Sequence, residues 1–241
     1  MSQLSYNIDM SESFAGLKAD AEFDKVITRM ADGEINFGRA CCSETGDAVE
    51  VRYAKKDVAS LVYDADIVTA NSVIVTVNGV STAAVVFDTD HDTTMDALLA
   101  AVSGLSTVSS ASLTDGSGDN RTIRIEAIGT AIVVSTAVTL GATQATGTPT
   151  YSSDDLFRGV SVHIHTEDGK YLDTEPVSVM TKGVIWVDAS VAVTVDDDAY
   201  VDVVDGTGKF TNVSSGNIAT GGKFMKTTSA AGLTKLEINR P

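Results

Sequence analysis

The fold class is decided by the stretch Val73-Ile74-Val75-Thr76-Val77-Asn78-Gly79. Its five β-branched residues favour an extended strand. Asn-Gly is the dipeptide that two-residue hairpin turns prefer, because both residues tolerate a positive φ. Residues 81–87 are again mostly apolar and are predicted to return as the partner strand. The sequence therefore predicts a β-hairpin, so sheets must supply much of the core.

An amphipathic helix is predicted after the hairpin. Thr93 and Asp96 have the spacing of a capping box at its start, and Gly104 is placed to end it. The apolar residues at i, i+3, i+4 and i+7, which form one helix face, are Met95, Leu98, Leu99 and Val102.

Three more strands and a linker complete the middle of the chain. The strands are predicted at residues 106–113, 122–127 and 131–140, and the linker, rich in Thr, Gly, Ser and Ala, at 141–153. The order β-β-α-β-β-β predicts a small α+β domain in which one helix lies on a sheet.

The flanking parts contain short apolar runs separated by Gly and Asp turns, which are typical of a β-sandwich or barrel. Residues 22–30 are compatible with either a short helix or a strand. Strands are predicted at 35–42, 48–51, 159–165, 177–180, 183–187, 191–195, 199–204 and 235–239.

The charge distribution indicates how these parts are organised. Net charge is −4 over residues 1–60, −7 over 61–150 and −5 over 151–241, and no lysine occurs between Lys56 and Lys170. We therefore predict an N-terminal arm (1–20), a discontinuous β host domain (21–60 and 151–241) and an inserted α+β domain (61–150). The fold class is mainly β with a small α+β insertion.

The overall composition excludes several functions. A formal charge of −16 and a pI near 4.4 leave no basic field for nucleic acid or an anionic membrane. The first residues lack the basic and apolar regions of a secretion signal. Cys41 and Cys42 are adjacent and are expected to be free thiols, which fits folding in a reducing cytoplasm.

Acidic and histidine motifs were tested for metal chemistry. Asp88, Asp90 and Asp92 resemble the start of a calcium loop, but its sixth and twelfth positions would be Thr93 and Leu99 instead of Gly and an acid. We expect a solvated loop at a helix N-terminus.

Histidines offer no better site. His163 and His165 share a strand face, and His91 is the only other histidine in the sequence. We therefore expect no metal, no cofactor and no catalytic residues.

The flanks resemble the capsid cement (decoration) proteins of tailed bacteriophages. In the N-terminal part the similar stretches are residues 14–16, 26–29 and 33–38. In the C-terminal part they are 157–160, 175–187, 198–202, 208–211, 221–225 and 231–238, in the family's order. The middle segment departs from the compact family pattern.

This resemblance implies a virion protein that binds the outside of an assembled capsid, with the major capsid protein as partner. It also implies a homotrimer. Eight residues are candidates for the assembly interface, and the first four alternate along a segment suited to strand addition: Leu4, Tyr6, Ile8, Met10, Phe37, Trp186, Phe210 and Phe224.

Two other functions remain open from the sequence. A phage tail or other virion surface protein would have the same composition. An adhesion or carbohydrate-binding module would need exposed aromatic residues, and residues 88–150 contain no Trp, Tyr or Phe. The host, the oligomer number and any ligand of the inserted domain are not indicated.

Overall fold

The computed structural model describes residues 13–19, 24–47, 49–63, 67–116, 120–128, 131–139, 149–164 and 169–239. The prediction of a mainly β fold is confirmed, and one helix is present among these residues. The chain divides into two compact units, here called the barrel unit (1–54 and 155–241) and the central unit (55–154). No helix in the described ranges is long and apolar enough to span a membrane.

The elements are numbered in chain order. The first part of the barrel unit holds β1 (Lys25–Ala31), β2 (Ile35–Asn36), β3 (Ala40–Ser43) and β4 (Glu50–Val51). The central unit holds β5 (Val58–Tyr63), β6 (Ser72–Val77), β7 (Val80–Ser81), β8 (Val85–Val86), α1 (His91–Ser103), β9 (Val108–Asp115), β10 (Arg121–Ala127), β11 (Val134–Thr139) and β12 (Pro149–Ser152). The second part of the barrel unit holds β13 (Leu156–Ser161), β14 (Lys170–Tyr171), β15 (Pro176–Ala189), β16 (Asp198–Val201), β17 (Phe210–Thr211), β18 (Ile218–Phe224) and β19 (Gly232–Asn239).

A closed five-stranded barrel is built around the second half of β15. The strand order is β17-β16-β18-β19-β15, and a parallel pairing of Ala189 in β15 with Phe210 in β17 closes the ring. Side chains that alternate inward, such as Ile185 and Val187 of β15, are fully buried. With Phe224 and other apolar residues they form one core cluster, as a small barrel filled by side chains requires.

The first half of β15 belongs to a second layer. There it pairs antiparallel with β1 on one edge and with β13 on the other. Gly159 of β13 has φ +149°, and a Cβ at this position would lie 2.3 Å from the carbonyl oxygen of Met180. Only glycine permits this close approach, which seats β13 against β15.

The central unit contains two four-stranded sheets, ordered β12-β5-β10-β9 and β11-β6-β7 with β8 also paired to β6. The predicted turn is confirmed, since Asn78 and Gly79 have φ of +49° and +81°. The apolar face of α1 is confirmed too: Met95, Leu98 and Val102 are buried in one core cluster with residues of both sheets.

Three predictions in the central unit are wrong. One sheet was expected and two are present. Pro149–Ser152 was assigned to a linker but forms β12, because Tyr151 packs on the core and bonds Val134 through its hydroxyl. The cap of α1 is Asp90 rather than Thr93 with Asp96, since Asp90 Oδ1 accepts from Thr93 N at 2.7 Å.

Several predicted boundaries in the barrel unit also change. The strand expected at 35–42 is split into β2 and β3 by a turn at Gly38, which has φ +69°. The strands expected at 177–180 and 183–187 are one continuous strand, β15. No strand forms at 191–195, where Val193 makes an isolated bridge to Thr228. β18 was missed because IATGGKF has little strand propensity.

A buried ion cluster joins the places where the chain leaves and re-enters the barrel unit. Arg52 Nη2 lies 2.9 Å from Asp155 Oδ1 and 2.7 Å from Glu44 Oε1, and Arg52 Nη1 lies 3.4 Å from Asp32 Oδ2. The side chains of Arg52 and Asp155 are 10% and 3% exposed. The two buried charges therefore replace for each other part of the interaction that water would provide.

Replacing Arg52 by Met tests this cluster. We expect Arg52→Met to lower the free energy of unfolding by about 3–5 kcal/mol, because the buried Asp155 carboxylate would lose the guanidinium charge that compensates it. The matched control is Glu44→Gln, which removes an ion-pair partner that is 62% exposed and should cost less than about 1 kcal/mol. Equal losses in urea unfolding of the two variants would contradict this account.

Asp90 provides a pH test. The hydrogen bond from the Thr93 backbone N–H lowers the pKa of Asp90 below its ordinary value. The stabilisation is therefore present above the ordinary pKa and lost as pH falls through the lowered one. We expect the advantage of wild type over Asp90→Asn in thermal unfolding to shrink between about pH 6 and about pH 3, since Asn caps helices without titrating. Asp90→Ala should be less stable than Asp90→Asn at both pH values, and a constant advantage of wild type would refute the assignment.

Candidate assembly surface

The Asp88–Asp92 loop is organised around the start of α1. Asp90 caps the helix, Asp92 pairs with Arg121, and the carboxylate of Asp88 accepts from Thr89 Oγ1 at 3.2 Å. Each carboxylate thus has a protein donor of its own. In the part of the chain that the structure describes, no group of three His, Cys, Asp or Glu could hold a metal ion.

The histidines make structural contacts. His163 lies between the rings of Phe14 and Phe37, with centroid distances of 4.5 and 4.6 Å. His91, in the central unit, is buried and accepts a hydrogen bond from Ile67 N at its Nδ1. His165 lies outside the described residues.

Neither Cys41 nor Cys42 forms a disulfide, and both are fully buried in β3. Burial raises the pKa of the Cys41 thiol to about 12, although a backbone hydrogen bond with Ser161 opposes the shift. At neutral pH this thiol is protonated and is a poor nucleophile.

Four of the eight residues predicted for an assembly interface are described, and all four are buried within the barrel unit. Phe210 packs edge-on against Phe157, and Phe37 against Tyr171. Leu4, Tyr6, Ile8 and Met10 lie outside the described residues. The role of all eight in assembly stays a prediction, but the described four first of all stabilise the monomer.

Trp186 and Phe37 are the two of these four that retain some exposure, 7% each. Trp186 is covered mainly by lysine side chains. The ammonium groups of Lys235 and Lys226 lie 5.0 and 5.2 Å from its ring centroid. Such contacts are favourable cation–π interactions, and they cover the indole with the stems of two lysines. Its exposed fraction is only 7%, which leaves little of the ring for a partner.

An accessible apolar surface of the barrel unit surrounds β1. Along this strand Ile27, Arg29 and Ala31 turn inward, whereas Val26, Thr28 and Met30 are exposed. Thr28, Arg29 and Met30 line a groove of about 400 Å³ together with Val49, Thr174 and Pro176. Met30 is 43% and Val49 65% exposed. A groove of this kind is a place for a protein contact.

A second exposed apolar pair precedes β1. Phe14 and Leu17 are 48% and 40% exposed. They belong to residues 13–19, which run along β15: Gly16 N donates to Trp186 O at 2.7 Å and Ala19 N to Val184 O at 2.8 Å. The backbone of this segment is thus fixed while two of its large side chains face solvent.

The surface around β1 was missed by sequence reasoning. The sequence of residues 22–30 is compatible with a helix or a strand, and the structure shows strand β1. Both faces of KVITRMA carry apolar side chains, so the sequence does not show which face is buried. That one face of this strand is uncovered could not be read from the sequence.

Buried cores and an accessible apolar sheet surface are features of a structural protein that acts through protein contacts. The model of the phage cement family, described as structural cement protein (E217 gp24/Pam3 gp6), matches residues 101–239. Since this is more than half of the 241 residues, the chain belongs to that family and is a phage structural protein. The search of curated proteins gives no match.

The matched range corrects one expectation. It begins inside α1 and includes residues 101–154 of the central unit. The family pattern is therefore not confined to the flanks of the chain. The N-terminal stretches between residues 14 and 38, which also carried the resemblance, lie outside the match.

The buried thiols give a direct test of the monomer core. We expect no labelling of the native protein by a thiol reagent at about pH 8 and labelling of both cysteines after unfolding, because only thiolates that solvent can reach react. A Val213→Cys variant is the control, since Val213 is 49% exposed and its thiol should react at once. Rapid labelling of native Cys41 or Cys42 would contradict the packing around β3.

Proposed function

We propose that this protein binds the outer surface of an assembled phage capsid as a homotrimer and reinforces it. The observation that carries the proposal is the match to the structural cement family over residues 101–239. The partner is the major capsid protein of the phage, and the site of action is the exterior of the virion. Catalysis has no part in this function.

The physical requirements of a cement protein agree with the surface of the barrel unit. A specific joint between proteins buries roughly 1,000 Å² or more, so accessible apolar residues must be present before assembly. Phe14, Leu17, Met30 and Val49 are such residues. Binding to the assembled shell and not to free capsomers then stabilises the shell by mass action.

The central unit is assigned a different role. It carries four basic and eleven acidic residues, a net charge of −7. An acidic surface repels like surfaces and favours solvation. We propose that capsid contacts belong to the barrel unit and that the central unit remains in solvent.

The barrel unit can close without the central unit. Arg52 and Phe157 both pair with Cys42, on opposite edges of β3. Two strand spacings therefore separate the departing and returning chain, about 10 Å. A linker of about five flexible residues spans this distance.

The experiment uses capsids that lack this protein. We expect the purified full chain to co-sediment with expanded capsids and to raise the temperature at which they release DNA, because its binding energy adds to the shell. A low-resolution map should show added density outside the shell, above the joints between capsomers. Density on the tail with bare capsids would identify the rival function and refute the proposal.

The same assay tests whether the barrel unit binds capsids without the central unit. A variant in which a short Gly/Ser linker replaces residues 55–154 should still form trimers and bind capsids. Full-length protein is the control, and thermal unfolding establishes that the variant folds. Folded variant that no longer binds would place the central unit in the cementing surface.

A further inference from the structure

β1 has an open backbone edge. Ala31 N donates to Glu175 O at 2.8 Å on the side of β15, and Met30 N donates to Val49 O at 3.1 Å on the opposite side. Backbone groups alternate along a strand, so the N–H and C=O of Thr28 point to the same side as those of Met30. β4 pairs with β1 at Met30 and Ala31 only. Among the described residues, no strand covers Thr28 on this side.

The open edge adjoins the exposed face of β1 and its groove. A strand edge bordered by apolar side chains is a site for strand addition, since main-chain hydrogen bonds and side-chain pockets act together. Arg29 also lines the groove, and its Nε is buried without a hydrogen-bond partner. A suitable occupant would be an extended segment with alternating apolar residues and a carboxylate.

Residues 4–10 of this chain have these properties. Leu4, Tyr6, Ile8 and Met10 alternate with Ser5, Asn7 and Asp9, and Asp9 is the only charged residue among them. We propose that residues 4–10 of a second copy add to the open edge of β1 as a strand. Their apolar side chains cover Val26 and Met30. This inference rests on the homotrimer of the proposed function and names one of its contacts.

The segment before β1 lies close to both halves of β15. Gly16 N donates to Trp186 O at 2.7 Å, while Gly16 O accepts from His163 N at 2.8 Å. The residue before His163, Val162, donates from its backbone N to Ser178 O at 2.8 Å, and Ser178 pairs with Thr28.

Distance does not exclude the arm of the same chain, because Phe14 lies close to the part of β15 that pairs with Thr28. The arm is assigned to a second copy because a trimer needs contacts between copies, and the trapping experiment below separates the two cases.

Charge supports the pairing. β1 carries Lys25 and Arg29 and no acidic residue, in a chain whose net charge is −16. Asp9 in the added strand would face a locally basic edge. Opposite charges on adjacent strands stabilise the pair and favour one register over others.

Disulfide trapping between two different cysteine variants tests the contact between residues 4–10 of one copy and β1 of another. Thr28→Cys protein is mixed with protein carrying one cysteine at position 4, 6, 8 or 10, and oxidised. Adjacent strands bring Cβ atoms to about 4.5–5.5 Å, close to what a disulfide needs. The native cysteines are buried and do not compete. We expect a dimer-sized product from at least one even position, at least roughly fivefold above cysteines at positions 5, 7 and 9, whose side chains point to the other face.

The control for trapping replaces Thr28→Cys with Val213→Cys, an exposed position of the same unit. Equal yields from even and odd positions, or from Thr28→Cys and Val213→Cys, would overturn the inference. So would a disulfide that forms only inside one chain carrying both cysteines.

Association is then measured by light scattering without capsids. Val26→Lys places a charge in the contact and should raise the concentration needed for association at least roughly tenfold, because burying an ammonium group is unfavourable. Val213→Lys is the matched control and should associate like wild type, with thermal unfolding verifying both folds. If Val26→Lys and wild type form trimers equally, the strand contact is wrong while the homotrimer stands. If wild type stays monomeric and no disulfide forms, the homotrimer of the proposed function fails as well.

Discussion

The barrel unit depends on the pairing of both edges of β15. Over fourteen residues this strand contributes first to the layer with β1 and β13 and then to the barrel with β19 and β17. A strand that is paired on both edges cannot shift register without exposing apolar side chains and breaking many backbone hydrogen bonds. The two core clusters of the unit are thereby held in one arrangement.

The ion cluster around Arg52 allows a second folded unit to be inserted into the sequence of the barrel unit. Residues 55–154 interrupt the barrel unit between Ala54 and Asp155. The arginine and Asp155 are paired across that interruption. Since a buried charge without its partner is strongly unfavourable, the two crossing segments are held together whatever the central unit does. This explains in physical terms how one barrel can be assembled from distant parts of the sequence.

Several described polar side chains have structural contacts, which agrees with a structural role in a virion. Aspartates cap helices and turns: Asp90 caps α1, and Asp197 accepts hydrogen bonds from Thr194 and Asn212. Both thiols are buried, burial raises the pKa of Cys41, and the His163 ring makes tilted contacts with Phe14 and Phe37. These described groups thus serve local stability, and the exposed features of the barrel unit include apolar side chains and a strand edge.

The sequence alone determined the features that depend on neighbouring residues. Asn78-Gly79 specified the hairpin turn because both positions adopt positive φ, and the spacing of Met95, Leu98 and Val102 specified the buried face of α1. The family resemblance could be recognised from the sequence because it consists of short stretches that occur in a fixed order. Tertiary structure decided which strands pair: β18 and β12 form in segments with weak local preference because neighbours supply their hydrogen bonds. It also decided that Phe210 and Phe224 are core residues and that Met30 is exposed, since burial depends on contacts distant in sequence.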